Sequence, residues 1–355
     1  MPRRHVVRPP VGADPLAPTG PTLRWGVVAT GGIARRVVEQ LLRLRDAELV
    51  AVASRDDARA RDFASEYGAR RAYGDAPGVT GFRRLAADPE VDVAYVATPH
   101  GQHHEVARAL LDGGKHVLVE KAFTVTAAEA EDLVDLARAR QRFLMEAVWT
   151  RFLPLYQTVA DVVAEGELGP VRWVQADLGF PAPQDPASRM WAPEAGGGAL
   201  LDLAVYPLAW TLAALGFPPA WSADAVVLPE VGVDGLTALT LHYPGEAVAQ
   251  LTCTLLSQAS RSVTIGGRDA FLRTWAPLPN PAGFTIEASG GRRDVRADAS
   301  APPYAWMLRE VQRCVQQGLT ESPTMPLDLT LATMRLFDDV RRRTGVRYPN
   351  DGPHD

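Results

Sequence analysis

The sequence predicts an α/β chain in two parts: a parallel sheet interleaved with helices, then an α+β region with a large, open, predominantly antiparallel sheet. Three observations predict this. Short apolar runs alternate with helical patterns from Leu23 to about Phe143, and strand patterns crowd together with few long helices beyond it. A length of 355 residues also exceeds the range over which one hydrophobic core usually keeps growing.

The first strand is the run LRWGVVA, Leu23–Ala29, which passes directly into TGGIARRVVEQLLRL, where Ile33, Val37, Leu41 and Leu44 recur at helical spacing. A second strand, Leu49–Ala53, stops at Ser54 and Arg55 and is followed by the helical pattern DDARARDFASEYG. The connection AYGDAPGVTGFRRLAADPE holds short helical segments at most. Strands at Val91–Ala97 and Val117–Val119 bracket a helix that starts near Gln102. The helix TAAEAEDLVDLARARQ closes the first part near Arg142. Repeated units of this kind imply right-handed βαβ crossovers.

The working boundary lies at Phe143–Glu146, giving domains of 22–144 and 145–348 with tails at 1–21 and 349–355. The second domain opens with the amphipathic VAEGELGPVRWVQADLGF and a long apolar helix, GGGALLDLAVYPLAWTLAALG. Strand candidates follow at VVLPEV, LTALTLHY, AVAQLTCTLL, SRSVTIGG and AFLRTW. The late runs YAWMLREVQRCVQQG and DLTLATMRLFDDVRRRTG read as helices that pack back on the first domain, as does the terminal VRYPN.

Composition narrows the function classes. Hydrophobic residues make up 46% and charged residues 22%, and the net charge of -5 offers no broad basic field for nucleic acid. Arg3 and Arg4 are not followed by an apolar segment, and six prolines occur by Pro21, so the start reads as a disordered basic tail rather than an export signal. No stretch approaches the run of about 20 apolar residues that a membrane span needs. Two distant cysteines, Cys253 and Cys314, form neither a disulfide framework nor a zinc knuckle, so a cytoplasmic setting is expected. His100, His103, His104 and His116 lack metal-ligand spacing, and no metal is expected.

The run ATGGIA, Ala29–Ala34, sits at a strand-to-helix junction, where Thr30, Gly31, Gly32 and Ile33 can bring backbone N–H groups and a helix N-terminus to a pyrophosphate. Ala29 stands where the G-x-G-x-x-G/A pattern has its first glycine, so the motif is weak without its βαβ context. Ser54 and Arg55 end the second strand where an acidic residue would bind an adenosine ribose. They can instead donate to a 2′-phosphate, which favours NADP over NAD, although Asp56 and Asp57 keep NAD open. Thr98 and Pro99 end a later strand beside the same crevice.

Of 37 basic residues only Lys115 and Lys121 are lysines. Lys121 follows the VLVE strand at the carboxyl end of the sheet, with Glu120 placed to orient it or to bind ribose. Lys115 precedes that strand and reads as solvent-facing. In GGGALLDLAVYPLAW, Asp202 and Tyr206 are four residues apart and share a helical face. Hydride transfer to a carbonyl leaves an alkoxide, and Tyr206 can supply its proton if the Lys121 ammonium is near. Asp202 would bind substrate or orient the amine, and capping and packing explain the same pair. Trp149, Arg151 and Phe152, with Arg189 and Trp191, are candidate rims of a substrate pocket or parts of a folded boundary.

Taken in order, WGVVATGGIA, VAVASR, YVATPHGQHHEVA, GKHVLVEKAF and GGGALLDLAVYPLAW resemble the glucose-fructose oxidoreductase, inositol dehydrogenase and rhizopine-catabolism family over Thr22–Tyr348. With MEAVWTRFLP added, the chain looks closest to the branch of dimeric dihydrodiol and NADP-dependent xylose dehydrogenases. The resemblance implies NADP binding, a polyhydroxylated substrate and a homodimer through the C-terminal sheet. It also implies a catalytic Lys121 in Glu120-Lys121-Ala122, where the family has E-K-P, and a catalytic Tyr206 where many relatives have histidine. His103 matches the histidine of the family segment T-P-x-x-x-H, at the nicotinamide or supporting its loop. A keto-sugar reductase running the chemistry in reverse and a nonenzymatic NADP-binding protein are the alternatives.

Overall fold

The computed structural model describes residues 14–351 apart from 184, 186 and 187. The described chain divides into two compact units, each discontinuous in sequence. The N-terminal unit holds residues up to Trp149 together with Ser300–Met334, and the C-terminal unit holds Thr150–Ala299 and the stretch from Arg335 onward. The division therefore falls after Trp149 rather than at 144. The run Leu144–Glu146 is a last strand of the N-terminal sheet, not an entry to a new domain.

In the N-terminal unit β1 (Leu23–Val28), β2 (Ala47–Ala53), β3 (Arg71–Tyr73), β4 (Val93–Val96), β5 (His116–Val119) and β6 (Leu144–Glu146) form a parallel sheet in the order β3-β2-β1-β4-β5-β6. The helices between them are α1 (Gly32–Leu41), α2 (Asp57–Tyr67), α3 (Gly81–Ala86), α4 (His103–Asp112) and α5 (Ala127–Arg140). All four residues of β4 are buried, as a sheet covered on both faces requires. The edge strand β3 is three half-buried residues, too short to stand out from the Gly/Pro-rich connection. Helix α5 begins with a capping box between Thr126 and Glu129.

The C-terminal unit contains α6 (Pro154–Ala164), β7 (Val171–Gly179), α7 (Ala199–Leu203) and α8 (Val205–Leu215). It continues through β8 (Ala220–Val227), β9 (Asp234–Tyr243), β10 (Ala247–Thr254), β11 (Val263–Gly267), β12 (Ala270–Thr274), β13 (Gly283–Ala288) and β14 (Gly291–Arg296). Its eight strands run β14-β13-β12-β11-β7-β10-β9-β8, antiparallel except for the β10–β7 pair, and this is the expected open sheet. Burial alternates along β9 and β10, so one face packs on α7 and α8 while the other is open. Pro193–Leu215 is after all apolar and long enough to cross a membrane by composition, but 89% of its most apolar window is buried, which makes it a core segment.

The last two helices are α9 (Pro303–Gln316) and α10 (Leu327–Thr344). Helix α9 packs on α1 in the N-terminal unit, where the buried Trp25 donates to Gln312 Oε1 at 2.8 Å. Residues 14–21 are pinned rather than a disordered tail: Arg309 Nε donates to the Pro15 carbonyl at 2.8 Å and Asp46 Oδ2 accepts from the Thr19 amide at 2.9 Å. Residues 1–13 lie outside the described part of the chain. At the other end VRYPN groups with the C-terminal unit. Asp351 pairs with Arg341 at 2.8 Å, and Tyr348 donates to the Gly197 carbonyl. Lys115 is buried, not solvent-facing: burial lowers its pKa, and its ammonium donates to the Asp88 carbonyl.

The bidentate pair between Arg309 and Asp46, with both contacts at 2.7 Å, ties α9 to the start of β2. Burial raises the Asp46 pKa, but the guanidinium and two further donors, the Thr19 amide and the Gln316 side chain, outweigh it and hold the carboxyl at about 2. Removing one partner of a buried pair leaves the other uncompensated, so Arg309→Leu is expected to cost about 3–5 kcal/mol in urea unfolding. Because the folded pKa is depressed, the contribution of Asp46 is present above about pH 4, the unfolded value, and is lost as pH falls toward 2. In Asp46→Asn the slope of stability over that window is expected to flatten.

Candidate active site

The strand order reverses beside β1, because its neighbours β2 and β4 are reached by crossovers on opposite sides, and a crevice opens at the carboxyl ends of the strands. It has a volume of about 790 Å³, and Thr30, Gly31, Ser54, Arg55, Thr98 and Pro99 line it as the sequence predicts. Gly31 caps α1 without a side-chain acceptor, and a Cβ built on Gly31 or Gly32 meets nothing within 4 Å, so the amides of the first turn face open space. The hydroxyls of Thr80 and Thr98 are buried at this crevice with no hydrogen-bond partner. Unpaired buried donors beside a helix N-terminus fit a phosphate-bearing ligand.

Asp56 also lines the crevice, but its carboxylate caps α2 by accepting from the Arg59 amide at 3.0 Å. Arg59, in the first turn of α2, is a second guanidinium on the same wall. The sequence reading missed it, and no local pattern marks it, because Arg55 precedes the helix and Arg59 lies in its first turn. Thr80, Phe82 and Gln102 were missed as well, the first two because they lie in the connection after β3.

Glu120 and Lys121 sit beyond β5, outside this crevice lining. Glu120 Oε1 accepts from the Tyr95 hydroxyl at 2.6 Å and Oε2 from the Lys121 amide at 3.2 Å, so this carboxylate braces the backbone of the lysine. The Lys121–Ala122 peptide is cis. His103 is fully buried and offers no surface to a nicotinamide, which corrects its expected contact with cofactor. Its Nε2 lies 2.8 Å from the Thr98 carbonyl and its Nδ1 2.9 Å from that of Ala122. Burial pushes its pKa down to about 4, so the ring is neutral and its single N–H donates to one of these two turns while the ring packs against the other.

In the C-terminal unit the three glycines form the tight approach expected of them. Gly198 has φ +105°, and a Cβ there would meet Asp234 Oδ1 at 2.3 Å. Asp234, absent from the sequence reading, accepts from the Leu200 amide at 2.8 Å and the Thr237 hydroxyl at 2.6 Å, and burial pushes it up to about 6. Asp202 lies next to the end of α7 and Tyr206 in the first turn of α8; the expected single helix is broken at Ala204. Pro207 has no N–H to give Leu203, and a helix tolerates proline only in its first turn. Arg189 Nη1 donates to Asp202 Oδ1 at 3.3 Å, bringing two predicted residues together. Asp202 and Tyr206 are 5% and 8% exposed, so both are almost wholly buried.

The other rim candidates fare differently. Phe152, at 1% exposure, and Trp191, whose indole donates to the Pro183 carbonyl at 2.7 Å, are packing residues. Arg151 donates to the Tyr156 hydroxyl at 3.2 Å and lies over its ring, and Trp149 stacks on Tyr304 with centroids 4.6 Å apart. Among the described residues no three His, Cys, Asp or Glu side chains group to hold a metal.

A phosphate-fitting crevice at the switch point of a parallel sheet, followed by an open-sheet domain, defines a Rossmann-fold oxidoreductase of two domains. Residues 23–148 match the model of the oxidoreductase family with an NAD-binding Rossmann fold, and residues 156–273 match the GFO/IDH/MocA C-terminal domain. The chain belongs to this GFO/IDH/MocA family. It is 35% identical over 342 residues to trans-1,2-dihydrobenzene-1,2-diol dehydrogenase of Sus scrofa, covering 93% of this chain and 99% of that one. It is 34% identical over 371 residues to D-xylose 1-dehydrogenase (NADP(+)) of Hypocrea jecorina, covering 92% and 93%. Among solved structures, a 3-ketoreductase from Actinomadura kijaniata in complex with NADP and TDP-benzene aligns with a TM-score of 0.81 at 28% identity over 90% of this chain and 97% of that one.

Ala29 holds φ +88°, a region glycine enters freely and alanine does not. Ala29→Gly is expected to stabilise the fold by about 1 kcal/mol, read as a rise in melting temperature of a few degrees. An unchanged or lower melting temperature would show that the turn carries no such penalty.

Proposed function

We propose that the protein transfers hydride between NADP(H) and a hydroxyl-bearing carbon of a sugar, polyol or trans-dihydrodiol. The observation that carries the cofactor preference is the crevice wall on which Ser54, Arg55 and Arg59 converge while the Asp56 carboxylate is committed to capping α2. Two guanidiniums and a hydroxyl match the charge of a 2′-phosphate, and the amides after Gly31 receive the pyrophosphate. When bound, NADP supplies the hydride acceptor or donor.

The chain's own residues handle the proton. The Tyr206 phenolate oxygen takes the proton of the substrate hydroxyl as hydride leaves carbon, and the resulting phenol returns it in the reductive direction. The Lys121 ammonium supplies fixed positive charge that favours the tyrosinate. Asp202, held by Arg189, accepts from a substrate hydroxyl and turns the carbinol toward reaction. The relative from Hypocrea jecorina is named for xylose and NADP(+), and those from mammals for a dihydrodiol, which supports a vicinal hydroxyl pair as substrate. Likeness to a 3-ketoreductase supports the reverse reaction, reduction of a keto-sugar, as the second reading.

A second copy of the chain is the proposed partner, on the open face of the eight-stranded sheet. Trp173 and Phe271 are 43% and 36% exposed there and share a depression with Gln175 and Arg273. Exposed aromatics on a flat face suit a homodimer. Both cysteines are buried free thiols, consistent with a reducing, cytoplasmic setting.

Steady-state kinetics with xylose, other aldoses and trans-dihydrodiols test this reading. Tyr206→Phe is expected to lower kcat by about 10²–10⁴-fold while NADPH binding stays within about twofold. The Arg55→Ala, Arg59→Ala double variant is expected to raise the KM for NADP+ by about 10–100-fold and leave that for NAD+ little changed. Unaltered turnover in Tyr206→Phe would remove the tyrosine from the mechanism, and equal loss of both cofactors would remove the arginines from phosphate recognition.

A further inference from the structure

The backbone from Lys121 to Phe123 is gripped by buried side chains on neighbouring elements of the N-terminal unit. His100 Nε2 lies 3.1 Å from the Lys121 carbonyl, and His103 Nδ1 lies 2.9 Å from the Ala122 carbonyl and 3.2 Å from that of Phe123. Glu120 Oε2 accepts from the Lys121 amide at 3.2 Å. The fourth grip is Glu146, the last residue of β6, whose Oε1 accepts from the Phe123 amide at 3.1 Å and whose Oε2 accepts from the Thr330 hydroxyl on α10 at 3.1 Å. Glu146 is 1% exposed and lies opposite Val119, two residues before the lysine, in the parallel β5–β6 register.

We propose that Glu146 is a positioning residue for Lys121, acting through the Phe123 amide, and that its protonation sets the electrostatic environment of the lysine ammonium. The inference rests on the reading of Lys121 as the cation of the reaction.

Two neutral donors do not pay for burying a full carboxylate charge. Burial, with Glu120 nearby, pushes Glu146 up to about 7, against the donors and the Lys121 charge. The charged or titratable groups facing it are Glu120 and Lys121, and the histidines grip the same turn. Below neutrality Glu146 is a neutral acid. Above it Glu146 carries a negative charge that acts on the nearby ammonium. Its raised pKa makes Glu146 costly to the fold as pH rises from about 4.5, its unfolded value, toward 7, after which the cost is constant.

Glutamine at this position keeps the geometry and removes the titration. Its amide oxygen accepts from Phe123 and its amide nitrogen donates to Thr330. Glu146→Ala is expected to lower kcat by about 10–100-fold, with the KM for NADP+ within about twofold, because a misplaced charge costs rate rather than cofactor binding. E146Q is expected to recover most of that rate, but without the ionisation near neutrality in its pH profile.

A readout independent of substrate comes from the lysine content, since Lys121 shares the chain with only Lys115. After reductive methylation with ¹³C-formaldehyde, the Lys121 dimethylamine resonance, assigned by its loss in Lys121→Arg, is expected to show a step near pH 7. That step should vanish in E146Q. Identical titration curves for the wild type and E146Q, or wild-type turnover in Glu146→Ala, would overturn the proposal. If no diol, sugar or keto-sugar is turned over while the step still depends on Glu146, the positioning stands and the reading of the reaction falls.

Discussion

Everything at the nucleotide crevice depends on a topological constraint in the parallel sheet. Right-handed crossovers send the chain from β1 outward to β2 and β3, and it returns past β1 to build β4, β5 and β6 on the other side. Adjacent loops at the carboxyl ends of β1 and β4 must therefore leave in opposite directions, and the space between them cannot be filled by the chain itself. The glycine turn after β1, the Ser54–Arg59 wall after β2 and the Thr98–Pro99 turn after β4 all border that space. The chemistry of the walls is a matter of side chains, but their convergence follows from strand order.

Three buried carboxylates show how the same fold uses negative charge in different ways. Asp46 meets a guanidinium and is held ionised at about 2; it fastens α9 to the sheet. Asp234 and Glu146 meet only amides and hydroxyls, and burial raises them to about 6 and about 7. Both hold backbone at a turn, Asp234 below the glycines that precede Asp202 and Glu146 beside Lys121. An acid that needs only two or three donors can pin a turn from beneath, where an exposed side chain would block it.

Local pattern made most of this fold legible. The glycine turn, Ser54, Arg55, Thr98 and Pro99 occupy strand ends, and strand ends are visible as the points where apolar runs stop. What escaped is what depends on residues distant in sequence. His103 looks like a ligand by its motif and becomes a strut only because the carbonyls of Thr98 and Ala122 close around it. Phe152 follows a plausible rim arginine, but its burial is a tertiary fact. Lys115 appeared exposed because its charge suggests solvent, and no local signal announces a carbonyl 27 residues upstream. The break at Ala204 was readable in principle from Pro207, whose missing donor outweighed an otherwise helical run. Trp149 and Arg151, two residues apart on one short turn, fall in different units because the chain crosses from one to the other between them.

The discontinuity of the units bears on the order in which the chain acquires its structure during synthesis. Tyr348 donates to the carbonyl of Gly197, and Arg341 lies over its ring at 4.9 Å. A residue translated late therefore completes a turn laid down some 150 residues earlier. The first sheet likewise waits for α9 to cover Trp25, and α9 emerges only after the whole intervening sheet. A ribosome that has released every strand of both sheets still holds a protein with one exposed tryptophan and one unfinished glycine turn. Neither unit is finished ahead of the other, so nascent chains stalled within α9 or α10 are left with both cores open.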